Sequence, residues 1–260
     1  MKPEEIAAYI GAAAWLPQIA VWLYRTVVKP KLRVVPDQLA EVGFTSFGPI
    51  FNVRMAFFAE HRDLIIDDIE LIVRHQDGET RTFRWAGLGE TFSEITDASG
   101  NKQIVSRDQS PIAIKVSTKM LFEKFVRFQE PRYHQADRAP IQTLLSHFNY
   151  VKQKAPETYV AEVLASKELF AVVEARQKWF QWKPGRYDVA LKPKSPQKYK
   201  LADSSFAFEL TQNDVDHLKR NLSILDAELR NVVSSNLPDF KAPPIVWQWA
   251  NVSMLRRTDA

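Results

Sequence analysis

The sequence IFNVRMAFFA, residues 50–59, carries a clear strand pattern. Large apolar side chains occupy every second position, at Phe51, Val53, Met55 and Phe57. Successive side chains of a strand point to opposite faces of a sheet, so this alternation predicts a strand with one buried face. The Gly48-Pro49 pair just before it predicts a turn.

The same period continues on both sides of this strand. Residues 65–74 alternate again, and His75-Gln76-Asp77-Gly78 carries the Asp-Gly pair of a tight hairpin before a returning strand over residues 79–85. Further strand patterns cover residues 31–35, 41–47, 111–117 and 124–128, and residues 97–103 form a polar loop. Short strands at this spacing predict an antiparallel β-sandwich.

A helical period replaces the strand period after residue 139. From Pro140 to Lys154 the apolar residues follow i, i+3, i+4, i+7 spacing, and a second helical pattern runs from Pro156 to about Arg176. We expect these helices to form an insertion in the sandwich, near residues 139–178.

Residues 183–191, Lys-Pro-Gly-Arg-Tyr-Asp-Val-Ala-Leu, return to strand character. This segment resembles the Pro-Gly-x-Tyr-x-Val-x-Leu strand found late in immunoglobulin-like β-sandwich domains of bacterial membrane-anchored proteins. The resemblance covers about ten residues. It implies an immunoglobulin-like sandwich over residues 31–210 and implies no activity.

The N-terminal run Ile6–Tyr24 contains no charged residue. A helix of this length spans roughly 28 Å, close to the hydrocarbon thickness of a bilayer, which predicts a transmembrane anchor over residues 1–30. A buried or interfacial helix is one alternative, because Pro17 and Gln18 interrupt the run, and a cleaved signal peptide is another. Ala7 and Gly11 are four residues apart and form a small face for packing against another transmembrane helix.

Basic residues follow the apolar run directly, at Arg25, Lys29, Lys31 and Arg33. By the positive-inside rule they predict a single-pass membrane protein with its N-terminus outside and the soluble domain in the cytoplasm. Residues 1–35 carry +3 of the total net charge of +4, so the basic excess favours anionic lipid over nucleic acid as a partner. A second basic segment over residues 183–200, with Lys192 and Lys194, is either a solvated hairpin tip or a surface for an anionic partner.

A heptad pattern marks residues 211–235. Thr211 and Asp214 predict a capping box, and the apolar positions that follow are spaced three and four apart, at Val215, Leu218, Leu222, Leu225, Leu229 and Val232. This stripe either packs on the chain's own sandwich or forms a seam with another copy or a partner. The tail over residues 236–260 adds two candidate interface residues, Trp247 and Trp249.

No catalytic, metal-binding or cofactor motif stands out in the sequence. The chain has five histidines, eight glycines and no cysteine, and it contains no Gly-rich phosphate loop. We therefore expect no cofactor and no enzymatic activity. The sequence predicts a non-enzymatic scaffold that binds membrane lipid and a protein partner. A second copy of the chain is one candidate for that partner, which would give a homo-oligomer. The alternative is a ligand-sensing membrane effector whose soluble domain controls assembly of the transmembrane helices.

Overall fold

The computed structural model describes residues 3–96, 102–109, 112–202, 204–237 and 239–256. Within these ranges the backbone alone is described at residues 3–12, 25–26, 90–96, 102–109 and 256. The predicted packing residues Ala7 and Gly11, and the collar residue Arg25, therefore lie outside the described side chains. Most of the predicted polar loop over residues 97–103 lies outside the described residues as well.

Six helices and thirteen strands are present in the described residues. The helices are α1 (Pro3–Val27), α2 (Pro131–Lys154), α3 (Tyr159–Leu164), α4 (Lys167–Gln177), α5 (Gln212–Lys219) and α6 (Asn221–Ser234). The strands are β1 (Lys31–Thr45), β2 (Gly48–Glu60), β3 (Leu64–Ile66), β4 (Asp68–His75), β5 (Thr80–Thr96), β6 (Lys102–Gln109), β7 (Ile114–Val116), β8 (Phe122–Gln129), β9 (Gly185–Lys194), β10 (Lys200–Ala202), β11 (Ser205–Leu210), β12 (Trp249–Ser253) and β13 (Leu255–Arg256).

The fold is mixed α/β, built on one curled sheet that forms a half-barrel. The main path through the sheet is β10-β1-β2-β8-β5-β4-β9-β11-β13, with β12 beside β1 and β6 beside β5. The predicted immunoglobulin-like sandwich is therefore wrong, because these strands share one continuous hydrogen-bonded path and do not divide into two packed sheets. Long strands with bulges, between Pro36 and Ala40 in β1 and between Trp85 and Gly87 in β5, are suited to this curvature.

Two chain segments connect the far edges of the curled sheet. Strand β10 pairs with β1 and leads directly into β11, while β12 pairs with β1 and leads directly into β13, which pairs with β11. Asn221 holds the second connection in place: its Nδ2 donates to the carbonyl of Gln248 and its Oδ1 accepts from the Gln248 amide, both at 2.8 Å.

The inner face of the sheet holds the main core. In β2 the side chains of Phe51, Val53, Met55 and Phe57 are buried, as the period-two pattern predicts. Helix α5 and the start of α6 close this core, because Val215, Leu218 and Leu225 pack into it. The predicted capping box is present at the start of α5, where Thr211 and Asp214 bond reciprocally.

Helices α2, α3, α4 and α6 form a cap with a second apolar core. The helical insertion covers α2 to α4 and contains three helices; α2 begins at Pro131, and Pro140 lies inside it. The cap sits at the end of the sheet where β1 turns into β2 and where β8 leads into α2. Pairing of Lys31 with Glu60, and of Phe57 with Phe122, defines the opposite, basal end.

In the part of the chain that the structure describes, no helix is both long and apolar enough to cross a membrane. The predicted transmembrane anchor, and the single-pass arrangement built on it, are therefore wrong for these residues. Pro17 and Gln18 interrupt the apolar run of α1.

Candidate functional site

Helix α1 joins the body at the basal end of the sheet. It leads through residues 28–30 into β1, and the carbonyl of Pro30 accepts a hydrogen bond from the Lys200 amide at 2.9 Å. The Tyr24 hydroxyl lies 3.4 Å from Nδ1 of His61, which follows β2. Residues 24–33, 60–65, 117–121 and 194–201 thus share one end of the molecule, which we call the basal face.

Large apolar side chains of α1 are open to solvent on every side of the helix. Between 48% and 74% of each is exposed, in the set Trp15, Leu16, Ile19, Val21, Trp22, Leu23, Tyr24 and Val27. A helix that is apolar all round is normally buried, and exposed apolar patches of this kind mark binding surfaces. Helix α1 is therefore a candidate attachment element.

A second apolar projection lies on the basal face, in the turn between β7 and β8. Met120 is 72% exposed and Leu121 is 61% exposed. Asp63 holds this turn by accepting hydrogen bonds from the Thr118 amide at 3.0 Å and the Thr118 hydroxyl at 3.2 Å. These bonds and nearby Lys115 lower the pKa of Asp63, so it remains an ionised acceptor at neutral pH.

Several basic residues of the basal face are already paired with carboxylates. Glu60 binds Lys31 at 3.3 Å and Arg33 at 3.2 Å. Lys194 binds Glu70 and Asp68, and the bond to Glu70 in particular raises the pKa of Lys194. These predicted anionic-surface residues therefore have internal partners.

Other lysines at this end carry charges that the described residues do not neutralise. Lys29, Lys119, Lys198 and Lys200 are exposed and have no ion-pair partner among the described residues, and the same is true of Lys192 on the adjoining outer face of β9. Unpaired lysines beside exposed apolar side chains are the combination that anionic lipid surfaces attract.

The predicted interface stripe takes a different position. Leu218 and Leu225 have no exposed surface and lie in the sheet core, and Leu229 lies in the core of the cap. Leu222 and Trp247 are half-buried against the sheet core, and the ring of Trp249 covers Gly43. Val232 is 63% exposed and faces solvent. The stripe thus packs largely within this chain.

Titratable side chains also cluster at the cap end. His75 is buried, with Nδ1 2.9 Å from Asp77 and Nε2 3.2 Å from the Pro184 carbonyl, and Lys183 binds Asp77 and Glu79 at 2.9 Å each. The Lys183 ammonium holds the pKa of Asp77 well below its usual range. The cavity beside His75 has a volume of about 10 Å³, about the room one water needs. This cluster ties the β4–β5 turn to the start of β9.

A buried tyrosine lies between the sheet and the cap. Tyr133 is fully buried, its hydroxyl has no hydrogen-bond partner among the described groups, and burial raises its pKa. Nearby, Arg176 makes two 2.8 Å bonds to Asp137. The described residues contain no group of histidine and carboxylate side chains that could hold a metal ion.

No family model, curated protein or solved structure matches this chain. The assignment of the basal face as a functional site therefore depends on the geometry of this structure alone. Sequence reasoning identified α1 and the basic segments one by one but missed Met120 and Leu121. The signal that would have found them is the apolar run Met120-Leu121-Phe122, which lies between polar residues in the gap between two predicted strands.

Proposed function

We propose that this chain is a non-enzymatic binding module that attaches to a lipid surface through its basal face. The half-barrel and cap then extend away from the lipid, where the cap can meet a protein partner. Attachment at a lipid surface requires exposed apolar side chains and favourable charge, and it requires no membrane-spanning segment.

The observation that carries this proposal is the exposed apolar surface of α1. Among the described side chains of α1, eight large apolar ones are each about half or more exposed. Complete burial of one such side chain is worth roughly 1.5–3 kcal/mol, so burial of the exposed half of all eight gives about 6–12 kcal/mol, which is comparable with the roughly 4–15 kcal/mol cost of association.

Flotation of the full chain with phosphatidylcholine vesicles tests the proposal. We expect the chain to float with the vesicles, and a variant with Leu16→Ser and Leu23→Ser to remain in the dense fraction. A matched control replaces two exposed apolar residues of the cap, Leu145→Ser and Val232→Ser, and is expected to float like the parent chain.

A second candidate function, assembly of copies through α1, follows from the same all-round apolar helix. Mass photometry without lipid separates the two. A defined oligomer that fails to float, and that dissociates in the Leu16→Ser, Leu23→Ser variant, would overturn lipid attachment and favour self-assembly.

A further inference from the structure

The unpaired lysines of the basal face lie together because of the sheet topology. Lys200 is next to Lys31 in the parallel pairing of β10 with β1, and its amide binds the carbonyl of Pro30. Lys29 immediately precedes Pro30, and Lys198 is two residues before Lys200. Two segments that are far apart in the sequence thus place Lys29, Lys198 and Lys200 around the exit of α1.

The loop that carries Lys198 is held by several hydrogen bonds. Oε1 of Gln197 accepts from the Ile65 amide at 3.1 Å, and the Gln197 amide donates to the Ser195 hydroxyl at 3.0 Å. The hydroxyl of Tyr199 donates to the Pro193 carbonyl. The position of the lysines relative to β3 and β9 is therefore fixed by the fold.

The apolar turn at residues 117–121 is connected to the same end. Asp63 binds Thr118 and lies two residues after His61, which contacts Tyr24 of α1. Helix α1 and the turn that carries Met120 and Leu121 are thus both hydrogen-bonded to the β2–β3 turn. The lysine loop is hydrogen-bonded to β3 and to Pro30, just before β1. Charged and apolar contacts can engage a surface together at this end.

We propose that the basal face recognises anionic phospholipid: Lys29, Lys198 and Lys200 bind the headgroups, and Met120 and Leu121 insert beside them. This inference rests on the proposed lipid attachment and adds headgroup selection and a fixed orientation of the body. Charge complementarity supports this assignment, since these ammonium groups have no carboxylate partner among the described residues, whereas Lys31, Arg33 and Lys194 do.

The first test compares vesicles of phosphatidylcholine alone with vesicles that also contain phosphatidylglycerol. We expect the full chain to bind the anionic vesicles more tightly. The variant Lys198→Gln, Lys200→Gln should lose roughly 30-fold in affinity for them, at about fivefold per lysine, and keep its affinity for neutral vesicles. The control Lys167→Gln, Lys241→Gln removes the same charge from exposed positions outside the basal face and should bind like the parent chain.

The outcomes separate the two proposals. Equal binding of the parent chain to both vesicles would refute headgroup selection and leave lipid attachment standing, whereas binding to neither would refute both. Headgroup recognition by these lysines is also refuted if the Lys198→Gln, Lys200→Gln variant keeps its preference, or if the control variant loses as much.

The orientation of the bound chain can be measured separately. Because the chain contains no cysteine, a single introduced cysteine can be labelled with a dye. An environment-sensitive dye on Met120→Cys should shift to the blue when the chain binds anionic vesicles. The same dye on Ser146→Cys, an exposed position in α2, should not. A bound chain with no shift at position 120, or with equal shifts at both positions, would refute insertion of the tip.

Discussion

The double substitution Leu16→Ser, Leu23→Ser separates the role of α1 from the stability of the body. The two leucines are seven residues apart, about two helical turns, and therefore lie on nearly the same side of α1. Their exposed fractions are 63% and 50%. The substitutions thus remove apolar surface that is available to a partner.

The magnitude follows from the exposed fractions. Complete burial of a leucine is worth roughly 1.5–3 kcal/mol, so burying the remaining half or more of each gives about 1–2 kcal/mol. The pair is then worth about 3 kcal/mol, or on the order of 100-fold in the partition coefficient. Surface substitutions change the free energy of unfolding by only about 0.5 kcal/mol, so the thermal midpoint of the body should remain almost unchanged.

The assay is co-sedimentation with phosphatidylcholine vesicles over a series of lipid concentrations, paired with thermal unfolding of the same samples. A partition coefficient equal to that of the parent chain would refute the role of α1 in attachment. A drop of many degrees in the thermal midpoint would refute the structural premise, because it would mean that the leucines support the body.

Other perturbations test the fold that positions the basal face. Leu225→Ala removes a fully buried side chain of the sheet core and should lower the free energy of unfolding by about 2–5 kcal/mol, measured by urea denaturation. Asn221→Asp replaces the amide that donates to the Gln248 carbonyl, and should cost about 1–3 kcal/mol and speed hydrogen exchange in β12. The pKa of Asp77 is lowered, chiefly by Lys183, so the stability it contributes is present above its unfolded pKa of about 3.9 and lost as pH falls. Asp77→Asn should therefore weaken the pH dependence of the urea midpoint between about pH 5 and pH 2.

Each of these expectations has a clear contrary result. Leu145→Ala, at an exposed leucine of α2, is the control for Leu225→Ala; equal effects would place Leu225 outside the core. Asn213→Asp, at an exposed position in α5, is the control for Asn221→Asp, and unchanged exchange in β12 would refute the hydrogen-bonded connection. An unaltered pH profile in Asp77→Asn would show that its ion pair with Lys183 adds nothing to stability.

Local structure was predictable where the periodic signal was strong. The alternation over residues 50–59 identified β2 and its buried face, and the Asp77-Gly78 pair identified the β4–β5 turn, where Gly78 has a positive φ of 95°. Thr211 and Asp214 identified the start of α5. In each case the residues that carry the signal also make the local contacts, so a short stretch of sequence was sufficient to predict the structure.

Long-range arrangement was not predictable from the same patterns. A period of two shows that a strand has a buried face, but one curled sheet and two packed sheets both satisfy it. The predicted strand over residues 31–35 stops before Pro36, yet β1 continues past this proline because a bulge between Pro36 and Ala40 accommodates the irregularity. The heptad spacing likewise fits both an interface between molecules and a helix that packs on its own domain. In the structure, Leu218 and Leu225 are buried in the chain's own core.

The basal face depends both on a local sequence pattern, the apolar run of α1, and on the long-range pairing of strands. Its charges help to decide whether lipid or a second copy of the chain covers it. If copies associated side by side through α1 in the same orientation, their unpaired Lys29, Lys198 and Lys200 would approach one another, and like charges close together oppose association. An anionic lipid surface satisfies the apolar helix and the lysines at once. The apolar run alone could not distinguish these occupants, because it requires burial without specifying what buries it. The pairing of β10 with β1 brings residue 200 beside residue 31, and so adds the charges of Lys198 and Lys200 to that of Lys29 in favour of lipid.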